Sequence, residues 1–181
     1  MDELADEIAV RRLGLSPTVA AQIQRYRQAA ERRTGVDLEE VISVFRLVGR
    51  RSDAALVFAD AGRRAARYAA RGVGRPATRT LARVSPGGMA YRLAMRGVAR
   101  RALTVFGGEM EGRVMPLEIT MKDPLSIAAL PAGEACVFYG SAYLELLRCL
   151  TGYEDALMHE RCRSRGDGVC LWRTARAEVY E

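Results

Sequence analysis

The stretch CVFYGSAYLELLRCLTGYEDALMHERCRSRGDGVCLW, residues 136–172, decides the fold. Its first part is helical in pattern over residues 137–150, with Phe138, Leu144, Leu147 and Leu150 roughly on one side. Residues 153–163, the run Ser164-Arg165-Gly166-Asp167-Gly168 and residues 169–176 then have the form of a hairpin with a glycine-rich turn. A helix feeding a hairpin places the chain in the α+β class.

Four side chains in this stretch have the chemistry of a metal site: Cys136, His159, Cys162 and Cys170, at intervals of 23, 3 and 8 residues. His159 and Cys162 lie on one strand of the hairpin, Cys170 lies just past the turn on its partner, and Cys136 starts the helix packed beside them. One ion would staple helix to hairpin. Thiolate sulfur at about 2.3 Å and imidazole nitrogen at about 2.0 Å in a closed tetrahedron make a structural zinc site, and four protein ligands leave no open position for catalytic water. The ordinary alternative is that three of the four are buried free thiols, common in cores, with His159 at the surface. Cys149, on the helix between Cys136 and the hairpin, is read as a core residue. An iron–sulfur cluster on all four cysteines is the competing metal reading, disfavoured because cluster ligands usually lie closer together in sequence.

Working outward, residues 112–121 carry Leu117, Ile119 and Met121 in the alternation of a half-buried strand, and Lys122-Asp123-Pro124 turns the chain. Everything before Gly107-Gly108 reads as helix. Ser16 or Thr18 caps a segment ending at Gly35, and Asp37 with Glu40 forms a capping-box pattern before LEEVISVFRLVGRR. Helices follow over residues 52–71, 77–84 and 89–103, interrupted by Gly72, Gly74 and Pro76 and by Ser85-Pro86-Gly87-Gly88. The pattern is therefore α+β, a helix-rich first part followed by a strand, a helix and a hairpin.

The chain has 181 residues and a net charge of +6, unevenly spread: residues 61–108 contain eleven Arg and no Asp or Glu. Lys122 is the only lysine, so part of this richness reflects arginine-biased coding rather than a partner. No basic start leads into an apolar run of the secretory kind, and the longest uncharged stretches are about half of what a bilayer-spanning helix needs. A cytoplasmic protein is expected, with attachment to an anionic membrane surface as an added option. Four cysteines in such a setting are thiols or metal ligands rather than disulfides. Arginine at every fourth helical position also suits nucleic-acid phosphates, but no reading motif accompanies it, and nucleic acid ranks behind the small-molecule partners.

The cysteine frame resembles the vinyl-4-reductase domain, whose end pattern is a Cys, a helix, a Gly, Glu-x-x-Cys, a glycine turn and a final Cys. Here those positions are Cys136, Gly152, His159, Cys162, Gly166 and Cys170. His159 stands where that pattern has Glu, and Glu160 beside it is the alternative ligand by a one-residue slip. GRRAARYAARGVGRP (62–76), AYRLAMRGVARRALTVFGG (90–108) and CVFYGSAYLELLRCL (136–150) also look like the stand-alone bacteriochlorophyll vinyl reductase proteins of that family. The resemblance implies a fold similar to the TRAPP vesicle-tethering subunits, a small antiparallel sheet flanked by helices, with residues 1–50 a helical N-terminal extension and residues 51–181 the ligand-binding domain. It also implies an apolar pocket, zinc at the four-ligand site, and a homodimer paired through its N-terminal helices. It further implies a hydrophobic ligand, either an aromatic effector or a tetrapyrrole precursor of bacteriochlorophyll.

Reduction of a vinyl group needs an electron donor, yet no convincing site for one is legible. Gly72-Val73-Gly74-Arg75-Pro76-Ala77 formally fits GxGxxA, but it follows a helix instead of a strand and reads as a helix stop. Binding without turnover is therefore expected. The pocket candidates are Phe58, Tyr91, Met95, Phe106, Phe138 and Tyr139, with Arg63 and Arg67 of the acid-free segment placed to grip a ligand carboxylate. For each aromatic the plain alternative is core packing, and for each Arg a solvated helix face. His159, the only histidine, cannot serve both the protein's ion and a magnesium tetrapyrrole, and the spacing assigns it to the former. Two further readings are a sensory or interaction module acting through a partner protein, and a vinyl reductase subunit that takes electrons from a partner; a carrier would in turn contact a pigment-synthesis enzyme to hand on its ligand.

Overall fold

Asp37 starts the first long helix by accepting a hydrogen bond from the Glu39 backbone N–H at 2.8 Å, as an N-cap should. Glu40 in the same turn pairs with Arg25. The structure is a computed structural model that describes residues 21, 24–29, 32, 35–71, 89–111 and 116–175. Three helices, α1 (Leu38–Gly49), α2 (Ala54–Ala70) and α3 (Met89–Phe106), lead into β1 (Glu109–Glu111) and β2 (Glu118–Met121). A short α4 (Leu125–Ala129) precedes the central helix α5 (Cys136–Thr151), and β3 (Ala156–Arg161) and β4 (Cys170–Ala175) close the chain. The expected helix at 77–84, the glycine break at 85–88, the formal GxGxxA at 72–77 and Val114 lie outside the described residues.

The four strands form one antiparallel sheet in the order β1-β2-β4-β3. The α+β architecture with a small antiparallel sheet and flanking helices is thus present. β4 is central, and its residues Cys170, Leu171, Trp172 and Thr174 are buried. The edge strand β3 carries a bulge at Glu160, between the pairs His159–Trp172 and Arg161–Leu171. Arg165 donates to the Glu160 carbonyl at 2.8 Å and so satisfies the group that the bulge displaces.

Helix α5 lies between the sheet and α2. Its contact with α2 is backbone on backbone: a Cβ at Gly62 would fall 2.2 Å from the Phe138 carbonyl oxygen, so no larger residue fits without parting the helices. Two apolar cores result. One gathers Val98, Ala102 and Phe106 of α3, Tyr139, Tyr143, Leu146 and Leu147 of α5, and Ile119 and Trp172 of the sheet. The other gathers Tyr26, Phe45 and Val48, Val57 and Phe58, and Ala129, and so joins residues on both sides of position 50. Phe138 packs against both cores. Among the described residues no helix is long and apolar enough to cross a membrane.

Two elements have no counterpart in the sequence reading. β1 is a three-residue edge strand with the burial pattern exposed, intermediate, exposed, and carries no apolar alternation to reveal it. α4 is a helix of five residues, below the length at which helical periodicity can be read.

Candidate metal centre

Cys136 opens α5, His159 lies near the end of β3, Cys162 follows β3 directly, and Cys170 begins β4. Their ligand atoms all lie within 4.8 Å of one another, so the cluster can hold one metal ion. The Cys162 sulfur stands 3.9 Å from that of Cys136 and 3.8 Å from that of Cys170. All three thiols are buried. His159 Nε2 is buried with no hydrogen-bond partner, an arrangement that costs free energy unless a cation takes the lone pair. A buried donor set of three sulfurs and an unpartnered imidazole nitrogen fits a bound metal.

The surrounding residues hold these four in place. The His159 ring lies parallel to the Trp172 indole, with centroids 4.6 Å apart and planes 8° from coincidence. Trp172 reaches that position because Gly140 of α5 has no Cβ, which would stand 3.0 Å from the indole nitrogen. Asp167 accepts from the Cys162 backbone N–H at 2.7 Å, and the left-handed Gly166 (φ 90°) lets the chain reverse between the two cysteines. The Arg163 backbone N–H donates to the Cys170 sulfur at 3.5 Å. The Ser164 hydroxyl lies 2.9 Å from Cys162 Sγ, and that of Ser126, on α4, lies 3.3 Å from Cys136 Sγ. Gly133, at φ 88°, presses its loop against this turn: a Cβ there would stand 2.5 Å from Ser164 Oγ.

Without a cation, burial prevails against ionisation at two of the three thiols. Burial pushes the Cys136 thiol up to about 12, with the Ser126 hydroxyl opposing. Burial also raises Cys170, against the hydrogen bond from the Arg163 backbone. At Cys162 burial acts in the same upward direction, but hydrogen bonds from the Ser164 hydroxyl and backbone and from the neighbouring thiols outweigh it and lower the thiol. Burial, then the charge of Arg165, depress His159 and keep its imidazole neutral, while a hydrogen bond to the Arg161 backbone opposes them. From such a state, a neutral imidazole beside thiols, metal binding proceeds with release of protons.

The ambiguity between His159 and Glu160 resolves by direction. Glu160 points away from the sulfurs and pairs with Arg173 at 2.9 Å. Cys149 stands thirteen residues after Cys136 on the same helix, about 20 Å along its axis. It donates to Glu145 at 3.9 Å, so the four cysteines do not converge on one cluster.

The expected pocket residues divide between core and cavity. Phe58 is wholly buried against Phe45, and Met95 is buried in the sheet-side core. Phe138 bridges rings of both cores, at 5.8 Å from Phe45 and 5.2 Å from Tyr139. The Tyr91 side chain lies outside the described residues. Phe106 and Tyr139 do line a cavity of about 320 Å³, beside Met121 and Leu125. Arg63 pairs with Asp60 one turn before it, and Arg67 donates to Glu145 at 2.7 Å. A second cavity, of about 360 Å³, opens between α5 and β3, with Cys136, Gly140, Leu144, Leu157, His159 and Trp172 in its wall. It touches the metal centre directly, and none of the residues expected to bind ligand lines it.

Comparison with protein-family models, with curated proteins and with solved structures yields no match to this chain.

Proposed function

We propose that this protein binds rather than transforms its ligand, and that a structural zinc ion staples its C-terminal helix to the hairpin. The observation that carries the zinc reading is the size of the donor set. Thiolates about 2.3 Å from a tetrahedral ion lie about 3.8 Å apart, and the two neighbouring sulfur pairs stand at 3.9 and 3.8 Å. Three thiolates with one imidazole suit zinc better than the oxygen-seeking magnesium or calcium. Four protein ligands complete the coordination shell, so the ion supplies cohesion between α5, β3 and β4 and no reactive position.

The ligand we propose is hydrophobic, of the tetrapyrrole class that the vinyl-4-reductase resemblance implies, and the protein acts as its carrier in bacteriochlorophyll synthesis. The two cavities support a binding role, since small-molecule sites usually begin at about 300 Å³ and these measure about 360 and 320 Å³. One observation favours a second reading, a sensory module for simple aromatics. The wall of the cavity between Leu144, Leu157 and Trp172 includes the ligands Cys136 and His159. Occupancy there would be felt at the metal and in how the hairpin meets a partner. A reductase role would require a partner to deliver electrons.

Elemental analysis of the purified protein, followed by absorbance titration with a chlorophyllide and with simple phenols, tests both parts. One zinc per chain and tighter binding of the chlorophyllide are expected. Preference for phenols would replace the carrier by the sensor, and absence of any bound transition metal would remove the staple.

A further inference from the structure

Helix α3 contains four Arg and no acidic residue. At 100° per residue, Arg92, Leu103, Arg96, Arg100 and Leu93 fall within about 100° of arc, and all five are exposed. Leu93 and Leu103 keep 58% and 54% of their surface in water, which is high for leucine on a helix whose other side is packed. Arg92, Arg96 and Arg100 follow one another at i, i+4 spacing, where like charges destabilise a helix. Among the described residues none of the three meets a carboxylate. Negative charge from outside these residues would relieve the repulsion.

We propose that this face of α3 is a docking surface for an anionic lipid bilayer. A face on which guanidiniums alternate with exposed leucines has the make-up of a helix lying in the headgroup region, where the arginines meet phosphates and the leucines enter the acyl boundary. Nucleic acid would satisfy the arginines equally well but gives the two leucines nothing to bury against. The stripe spans about 16 Å from Arg92 to Leu103, enough for several lipid headgroups. This surface uses neither the metal centre nor either cavity, and it stands or falls independently of the carrier reading.

The test is co-sedimentation of the full chain with phosphatidylcholine vesicles, with and without phosphatidylglycerol, across a range of salt. Binding only to the phosphatidylglycerol vesicles, weakening as salt rises, is expected. Replacing Arg92, Arg96 and Arg100 together by Gln should weaken it on the order of a hundredfold. The double variant Leu93→Ser, Leu103→Ser should weaken it about tenfold or more. Unchanged circular dichroism and metal content in both variants separate loss of docking from loss of fold. No binding to anionic vesicles overturns the proposal. So does a leucine variant that binds as well as the parent, a result that would assign the face to nucleic acid or to simple charge.

Discussion

The core between α1, α2 and α4 is closed by aliphatic side chains and rings, with Phe45 against Phe58 at 5.1 Å and against Phe138 at 5.8 Å, whereas the core between α3, α5 and the sheet ends on three thiols and an imidazole. The first is complete as an apolar assembly and is weakened by removing volume. The second is incomplete as one. Buried thiols pack as small hydrophobes, but the unpartnered His159 Nε2 has given up water and gained nothing in exchange unless an ion is bound. The difference shows that burial alone does not define a core: the helical core is satisfied by apolar packing, whereas the sheet-side core ends on a donor set that a bound ion would complete.

Chelation separates the two most strongly. Structural zinc contributes on the order of 10 kcal/mol of apparent binding free energy, about the whole stability of a domain this size. Stripping the ion, or Cys162→Ser, is expected to expose the β3–β4 amides to hydrogen exchange while the amides of α1 and the first half of α2 keep more of their protection. Hydrogen-exchange mass spectrometry reads this segment by segment. Equal loss of protection in both cores would break the comparison and make the molecule one cooperative unit governed by the metal.

The reciprocal experiment empties the helical core. Phe58 is fully buried, and Phe58→Ala should cost about 3–5 kcal/mol through lost burial and the cavity left behind. Because Phe58 touches no ligand of the metal centre, the folded variant should still bind one ion per chain with unchanged affinity. Calorimetry for stability together with a metal titration checks both statements. A variant that also loses metal affinity would show that the helical core positions α5 and with it Cys136.

Alkaline pH attacks the sheet-side core by another route. Burial raises the phenols of Tyr139, to about 12, and of Tyr143. Folding therefore favours the neutral phenol. The stabilisation is complete below the ordinary tyrosine value of about 10, and is lost as pH climbs from there through the folded value; for Tyr139 alone it amounts to about 3 kcal/mol. Ultraviolet titration should find these two tyrosines ionising in one cooperative step that coincides with loss of helical circular dichroism. Smooth ionisation of every tyrosine near the ordinary value would show that this core admits water.

How much of this was legible in the sequence follows from what each feature needs. The hairpin and the long helices were readable because their signals are local: Gly166 and Gly168 between two strand-like runs, Asp37 before an amphipathic segment. The ligand set was readable because a metal site constrains residue type as well as spacing. Its support was not. Ser126 sits on a helix too short to show a period, and Trp172 meets His159 only because the register of β3 on β4 pairs those two residues. Ser164, two residues past Cys162, carried a local signal and could have been found. The pocket was the least legible part, because an aromatic residue in an amphipathic helix looks the same whether it faces a ligand or another ring. Phe58 and Phe138 turned out to face other rings, and the cavity beside the metal has walls of Gly140, Leu144 and Leu157 that composition does not mark.

The smallest expected effect concerns the bond that ties the two halves across α2 and α5. Arg67, its side chain 58% exposed, donates to Glu145, which is 11% exposed. Hydrogen bonding to Glu145, then its charge, raise the Arg67 guanidinium. A largely solvated arginine contributes little, about 1 kcal/mol or less, to such a pair. The two partners are nonetheless unequal, because the carboxylate is the buried one. Glu145→Gln keeps shape and a hydrogen-bond acceptor and should change stability by less than about 1 kcal/mol. Arg67→Met leaves the carboxylate with the Cys149 thiol at 3.9 Å as a poor substitute donor, and should cost more, about 1–3 kcal/mol. Thermal unfolding of the two variants measures the inequality. The same pair also bears on the ligand: Arg67 gives its Nε and part of its charge to Glu145, so Glu145→Gln should strengthen binding of an acidic ligand if Arg67 is its clamp. Unchanged affinity in that variant would confine Arg67 to holding α2 on α5.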